Sequence, residues 1–298
     1  MKRSFVNKTL AIGAAGLCAV LLVPLQGCTN LDEIPPSAVS PGNFFQNEAQ
    51  VLAGLAGVYA QLRGTLDDYY DVSEISTDEM VVPTRGSDWY DGGEWLDLHR
   101  QTWTPSSPAA LSLLNGAYNT AMGGVARANV MLEQIPKVTP LPDAAVITGE
   151  VRTLRAFYYY LLMDLFGGVP VATTTDLQSR ARVSRDSLFR FIESELLGAR
   201  TALPAKWDAA NKGRITKGAV DAMLANMYLN AGVFKKDAPG AGANQINPAA
   251  YNTCHNVAVS GSSDACQAAS DRVDSILNSG VYTLADSFPQ PFRYDNHA

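Results

Sequence analysis

The chain has 298 residues, of which 47% are hydrophobic and 17% charged, and its formal charge is −6. That composition is ordinary for a globular protein, and the length suits one large domain or two small ones. The acidic balance argues against nucleic acid and against anionic lipid surfaces as partners.

The chain opens with Lys2, Arg3 and Lys8, followed by an apolar run from Leu10 to Val23 and then Leu25-Gln26-Gly27-Cys28. A basic start, an apolar core and a small residue before the cut make a secretory signal. A cysteine directly after that small residue specifies a bacterial lipoprotein, in which cleavage leaves the Cys28 thiol for lipid attachment and its amine for acylation. The run is too short to span a bilayer, and Gly13, Gly16 and Pro24 weaken it further as a helix. Residues 1–27 are thus read as a signal peptide. Residues 28–45 are read as lipid anchor and tether, stiffened by Pro35, Pro36 and Pro41. Buried acyl methylenes at about 0.8 kcal/mol each make such an anchor stable. Loss of the leader removes Lys2, Arg3 and Lys8, so 20 basic residues face 29 acidic ones and the charge becomes −9.

The rest reads as helices. Val51, Leu55, Val58 and Leu62 form one stripe of a helix over 48–63, and residues 65–106 do not keep that period. A second helix over 111–135 is expected to bend near Gly123-Gly124 and to stop at Pro136. The cleanest pattern covers 150–166, through Val151, Leu154, Tyr158, Leu161, Leu162 and Leu165. Ser184 caps a helix that stops at Pro204, and Thr216 caps another that ends at Gly232. After a polar stretch over 233–263, Asp264 caps a last helix ended by Gly280. Three helix pairs follow: 48–63 with 111–135, 150–166 with 184–200, and 216–232 with 264–279. Amphipathic pairs that bury their faces by stacking are the logic of a tetratricopeptide-like solenoid. The tetratricopeptide consensus itself is not visible, and an irregular helical domain fits the same periodicity.

With Cys18 cleaved and Cys28 lipidated, Cys254 and Cys266 remain. Outside the cytoplasm such a pair forms a disulfide worth roughly 3 kcal/mol, two free thiols being the alternative. A zinc site from Cys254, His255 and Cys266 lacks the second close-spaced ligand pair. No metal or other cofactor is expected.

Trp89, Trp95 and Trp103 crowd one window with Tyr90. Tryptophan offers a flat apolar face and one N–H, which suits stacking on a sugar ring. Trp89 and Trp95 are the ligand candidates, with rings pinning the loop as the competing role, and Trp103 is read as such a pin. Asp88, Asp91, Glu94 and Asp97 share the window. They could serve a glycosidase, whose two carboxylates stand roughly 5–10 Å apart, or a calcium ion, although the spacing is not that of an EF-hand. Gly213 to Gly218 has phosphate-loop spacing but lacks the following Lys-Ser/Thr, and HExxH, GxSxG and dinucleotide motifs are absent. Arg152, Arg155 and Asp164 are read as a solvated or ion-paired flank.

Several segments carry a resemblance. Cys28-Thr-Asn-Leu-Asp-Glu-Ile-Pro-Pro, Phe44-Phe45 and the Ala-Gly-Val-Tyr of 56–59 resemble the mature start of the SusD/RagB family. The stretch from Asp78 to Trp95 resembles its early loop. Arg127-Ala-Asn-Val, Leu154-Arg-Ala-Phe-Tyr-Tyr-Tyr, Asp164-Leu-Phe-Gly-Gly-Val-Pro-Val and Gly213-Arg-Ile-Thr-Lys-Gly-Ala are similar to its helices. The resemblance implies a mostly α fold of tetratricopeptide-like pairs with long irregular loops. It also implies an outer-membrane lipoprotein of Bacteroidota type, facing the exterior. Such a protein captures glycans, or sometimes peptides, as a lid on a SusC-like TonB-dependent transporter, without catalytic residues. Trp89 and Trp95 carry over as ligand contacts, with Asp91 as a hydrogen-bonding group. A surface glycoside hydrolase, or a helical adaptor without a small-molecule ligand, are the alternatives. Family members are longer, so residues 46–298 are expected to be a SusD-like domain truncated at its C-terminus.

Overall fold

The computed structural model of the chain describes residues 41–235 and 253–293. The expected signal peptide, Cys28 and residues 28–40 of the expected tether lie outside them. The described body begins with a short helix α1 (Pro41–Phe44), inside the stretch read as tether, and Phe45 packs on the main core.

Helix α2 (Glu48–Ile75) starts on Asn47, whose side chain accepts from the Gln50 N–H. It runs a dozen residues past the expected end at 63. The buried stripe continues through Thr65 to Val72 and Ile75, and the Tyr69 hydroxyl on the same stripe donates to Asp164. The apolar period fades at Thr65 and Tyr69 because these two positions satisfy their polar atoms internally; Thr65 Oγ1 donates to the Gln61 carbonyl at 2.9 Å.

After the loop that holds the tryptophans and the short helix α3 (Glu94–His99), a π-helical turn (Ala110–Leu114) leads into α4 (Asn115–Gln134). Helix α4 is continuous through Gly123-Gly124, where a bend was expected. A Cβ on Gly124 would lie 2.5 Å from the Tyr158 ring, so this glycine serves close packing against the next helix. Helix α5 (Ala144–Phe166) begins six residues before its expected start. Helices α6 (Arg185–Arg200), α7 (Lys217–Leu229) and α9 (Ala265–Leu277) start on Ser184, Thr216 and Asp264, each side chain accepting a backbone N–H three residues on. Gly232 does not end α7. The chain breaks at Asn230 and turns again as the short α8 (Ala231–Phe234).

The three expected pairs are present: α2 packs on α4, α5 on α6 and α7 on α9. Successive pairs join through α4 with α5 and α6 with α7. One apolar core runs through all of them, from Val51 and Leu55 to Leu224, Ala265 and Ala268. This is stacking of helix pairs without a repeated sequence.

Buried carboxylates tie the pairs together. Glu150 is fully buried and accepts from Arg214 and from the Tyr59 hydroxyl, at 2.5 Å in the latter case. Glu195 accepts from Arg152 at 2.9 Å and Arg155 at 2.5 Å. Asp221 accepts from Arg200 at 2.7 Å and Arg272 at 3.4 Å. Arg155 is 6% exposed and also donates to Asn129 on α4. The flank read as solvated or ion-paired is therefore, at Arg155, a buried ion pair.

Cys254 and Cys266 are joined, with Cα atoms 4.9 Å apart. The bridge holds the segment before α9 on the core, where Val257 and Val259 also pack. That part of the expected polar stretch is structural; the part over 236–252 lies outside the described residues. Among the described residues no helix is long and apolar enough to cross a membrane.

Candidate functional site

The window with three tryptophans forms a loop fastened to the end of α2. A small second core fastens it: Ile75, Leu98 and Ala109 are buried, with Met80, Val82, Trp95 and Leu113 against them. Gln101 Nε2 donates to the Ser76 carbonyl at 2.6 Å and closes the base of the loop. Asp97 accepts from Thr102 at 2.9 Å. Hydrogen bonds from the Ser107 and Thr102 hydroxyls, Ser107 foremost, hold this carboxyl below its ordinary range.

The tip is a tight turn in which Arg85 and Asp88 exchange backbone N–H···O bonds of 3.0 Å across Gly86-Ser87. Beyond it, Trp89 and Asp91 both adopt positive φ, at 52° and 41°, ahead of Gly92 and Gly93 at 69° and 90°. Non-glycine residues in this region are uncommon, and such strain collects at sites that present side chains. The turn is held by Thr84 Oγ1, which donates to the Trp89 carbonyl at 3.2 Å.

The result is an ordered aromatic pair. Trp95 packs in the second core, and its indole N–H donates to Asp91 Oδ2 at 2.8 Å. Trp89 stands over it edge-to-face, ring centroids 6.3 Å apart and planes at 67°. Trp89 is 56% exposed and Tyr90 beside it 50%. The structure thus brings all three candidates together and separates their work. Trp95 is a base, Asp91 its latch, and Trp89 the presented face. Trp103, read as a pin, stands exposed outside the second core. Leu98, Met80 and Val82 do the pinning instead.

Among the described residues the four acids of the window do not form a metal-ligating group of three or more. Asp91 is engaged with Trp95 and Asp97 with Thr102. Among the described residues the His/Cys/Asp/Glu group whose donor atoms gather is His255, Asp264 and Cys266. There Cys266 is bonded to Cys254, and Asp264 caps α9. Hydrogen bonds from the Gln267 and Asn256 backbone N–H groups keep the Asp264 carboxyl below its ordinary range.

Sequence reasoning missed a groove of about 560 Å³ between the segment 205–214 and Tyr282. Its local signal was the fourth tryptophan, Trp207, beside Lys206. The facing wall arrives from far along the chain and could not be placed by pattern. Arg214 stacks over the Trp207 ring at 4.0 Å, and the Trp207 N–H donates to the Ile215 carbonyl at 2.8 Å. The hydroxyls of Tyr282 and Thr216 are 2.7 Å apart.

A family model described as SusD-like, "Starch-binding associating with outer membrane", matches residues 31–229. The starch-binding protein SusD of Bacteroides thetaiotaomicron is 26% identical over 281 residues, covering 86% of this chain and 48% of that protein. The SusD-like protein P2 of Formosa agariphila is 26% identical over 237 residues, covering 74% of this chain and 44% of that one. A solved laminarin-binding SusD-like protein superimposes with a TM-score of 0.55 at 27% identity, over 63% of this chain and 41% of its own. The chain spans about half the length of the curated relatives it matches.

Proposed function

Because the chain belongs to the SusD-like family, we propose that it is a glycan-capturing lipoprotein of the outer-membrane surface that delivers its ligand to a SusC-like TonB-dependent transporter. The observation that carries the reading is the presentation of Trp89. A large aromatic face is held out in solvent by a strained, hydrogen-bonded loop, so little freedom remains to be lost when a ring stacks on it. The Asp91 oxygen that Trp95 does not use, with neighbouring polar groups, would read hydroxyls. In this reading Cys28 carries the lipid, residues up to 40 form the tether, and the helix pairs supply the scaffold and the transporter-facing surface. The protein binds and does not catalyse. Glycans are favoured over peptides because relatives are named for starch and laminarin.

The test is affinity electrophoresis of the mature protein through gels containing neutral polysaccharides, starch and laminarin among them. Retardation by at least one, reduced in Trp89→Ala, is expected. A folded protein that no glycan retards, in a panel that includes its host's own substrates, would overturn the proposal.

A further inference from the structure

We infer that the groove between residues 205–214 and Tyr282 is a second saccharide site, selective for sugars that carry carboxylate or sulfate groups. None of the residues that line it belongs to the loop 84–95. At about 560 Å³ it has the size of a ligand site. Its aromatic walls are fixed in place. The Trp207 N–H is used by the Ile215 carbonyl, and the ring is backed by Arg214, itself committed to Glu150. Tyr282 is tied to Thr216 and lies so close over α7 that a Cβ on Gly218 would come within 2.5 Å of its hydroxyl. These two rings therefore offer a ligand flat faces, and the Trp207 N–H is already used.

The remaining polar groups decide what those faces accept. Asp208 is engaged by the Asn211 backbone and side-chain N–H groups. Lys206 and Lys212 are exposed at the groove and have no ion-pair partner among the described residues. Lys217 borders an adjoining pocket of about 140 Å³ that shares Ala205 and Tyr282. Elsewhere the described chain has only Lys137 and Lys235. Among the described residues, three of the five lysines thus line or border one aromatic groove. Flat apolar walls select a ring, and unpaired ammonium groups select an anion. The saccharide half of this assignment rests on the function proposed above; the anionic half rests on the lysines.

The experiment is calorimetric titration of the intact mature protein with oligogalacturonate and, separately, with a sulfated galactan oligosaccharide. The neutral glycan identified by electrophoresis runs in parallel. Binding of at least one anionic probe is expected, weakening as salt is raised. Exposed charge contacts are individually modest, so the Lys206→Glu/Lys212→Glu variant should bind that probe roughly tenfold or more weakly. The same variant should keep its neutral-glycan affinity, and Trp89→Ala should keep the anionic one. Whichever probe binds tells carboxylate from sulfate. No binding of either probe, or binding that the double lysine variant leaves intact, overturns the proposal. So does an anionic affinity lost in Trp89→Ala. Because these variants exchange surface lysines, a circular dichroism melt matching wild type identifies any loss as local. Failure of the neutral arm alone would count against the proposed function and not against this groove.

Discussion

Replacing Glu195 by Gln should destabilise the scaffold severely, and the structure sets the size. Glu195 receives four N–H bonds: Arg152 Nε and Nη2 at 3.0 and 2.9 Å, and Arg155 Nε and Nη2 at 3.0 and 2.5 Å. The Glu195 and Arg155 side chains are each only 8% exposed, whereas Arg152 is 31% exposed. Gln keeps one acceptor, points an NH2 at a guanidinium and removes the carboxylate that, among the described residues, pairs with buried Arg155. Removing one partner of a buried pair costs about 3–5 kcal/mol. At about 2–4 °C per kcal/mol for a body of this size, Tm should fall by roughly 6–20 °C. The control is Asp176→Asn, which removes an i,i+4 pair with Arg180 whose partners are 40% and 25% exposed; that change should leave the melt nearly unmoved. Urea and thermal unfolding followed by circular dichroism would measure both. Equal effects of the two substitutions would refute the reasoning. A cycle of Arg155→Met, Glu195→Met and their double variant tests it from the other side: the double should lose less than the sum of those two singles.

Other expectations follow from single contacts. Gly124→Ala places a methyl against the buried Tyr158 ring and should cost about 1–3 kcal/mol, read as a fall in the urea midpoint with unchanged slope. Reduction of the Cys254–Cys266 bridge, which closes a loop of sequence separation 12, should cost about 3 kcal/mol in the chain-entropy model, seen by calorimetry with and without a dithiol; an unchanged Tm would count against it. Asp264 caps α9 with a folded-state pKa that its backbone hydrogen bonds depress. Its contribution is therefore complete above the unfolded carboxylate pKa and is lost as pH falls through the folded one. Asn caps at any pH, so any advantage of wild type over Asp264→Asn in thermal melts should shrink on acidification. If the proposed function holds, the protein solubilised gently from its native membrane should bring a TonB-dependent barrel with it in stoichiometric amount, by mass spectrometry. A protein recovered alone in repeated preparations would remove the transporter from the account.

Much of the scaffold was legible because its signals are local. Ser184, Thr216 and Asp264 cap the helices where their chemistry said they would, and the apolar stripes paired the helices correctly. Where reading stopped early, polar residues sat on the buried face: Thr65 and Tyr69 satisfy themselves within α2 or across to Asp164. Gly123-Gly124 misled for a related reason, since a glycine in a helix signals weakness locally and close approach only once its neighbour is known. The loop was legible in part. Its composition named Trp89 and Trp95, and the family resemblance added Asp91, but neither could divide them into base, latch and presented face. That division depends on positive φ at Trp89 and Asp91 and on the second core beneath Trp95. The groove at Trp207 was illegible because its second wall, Tyr282, is set by the packing of α9 on α7.

The most direct measurement for the account is a paired one on Trp89→Ala: calorimetric affinity for the glycan that retards the wild-type protein, and the melting temperature of the same sample. Trp89 is more than half exposed, and stacking on a presented ring is an interaction of the bound state. The account predicts an affinity at least about tenfold weaker with the melting transition nearly unmoved. Unchanged affinity, or a loss of binding that only follows a loss of fold, would contradict it.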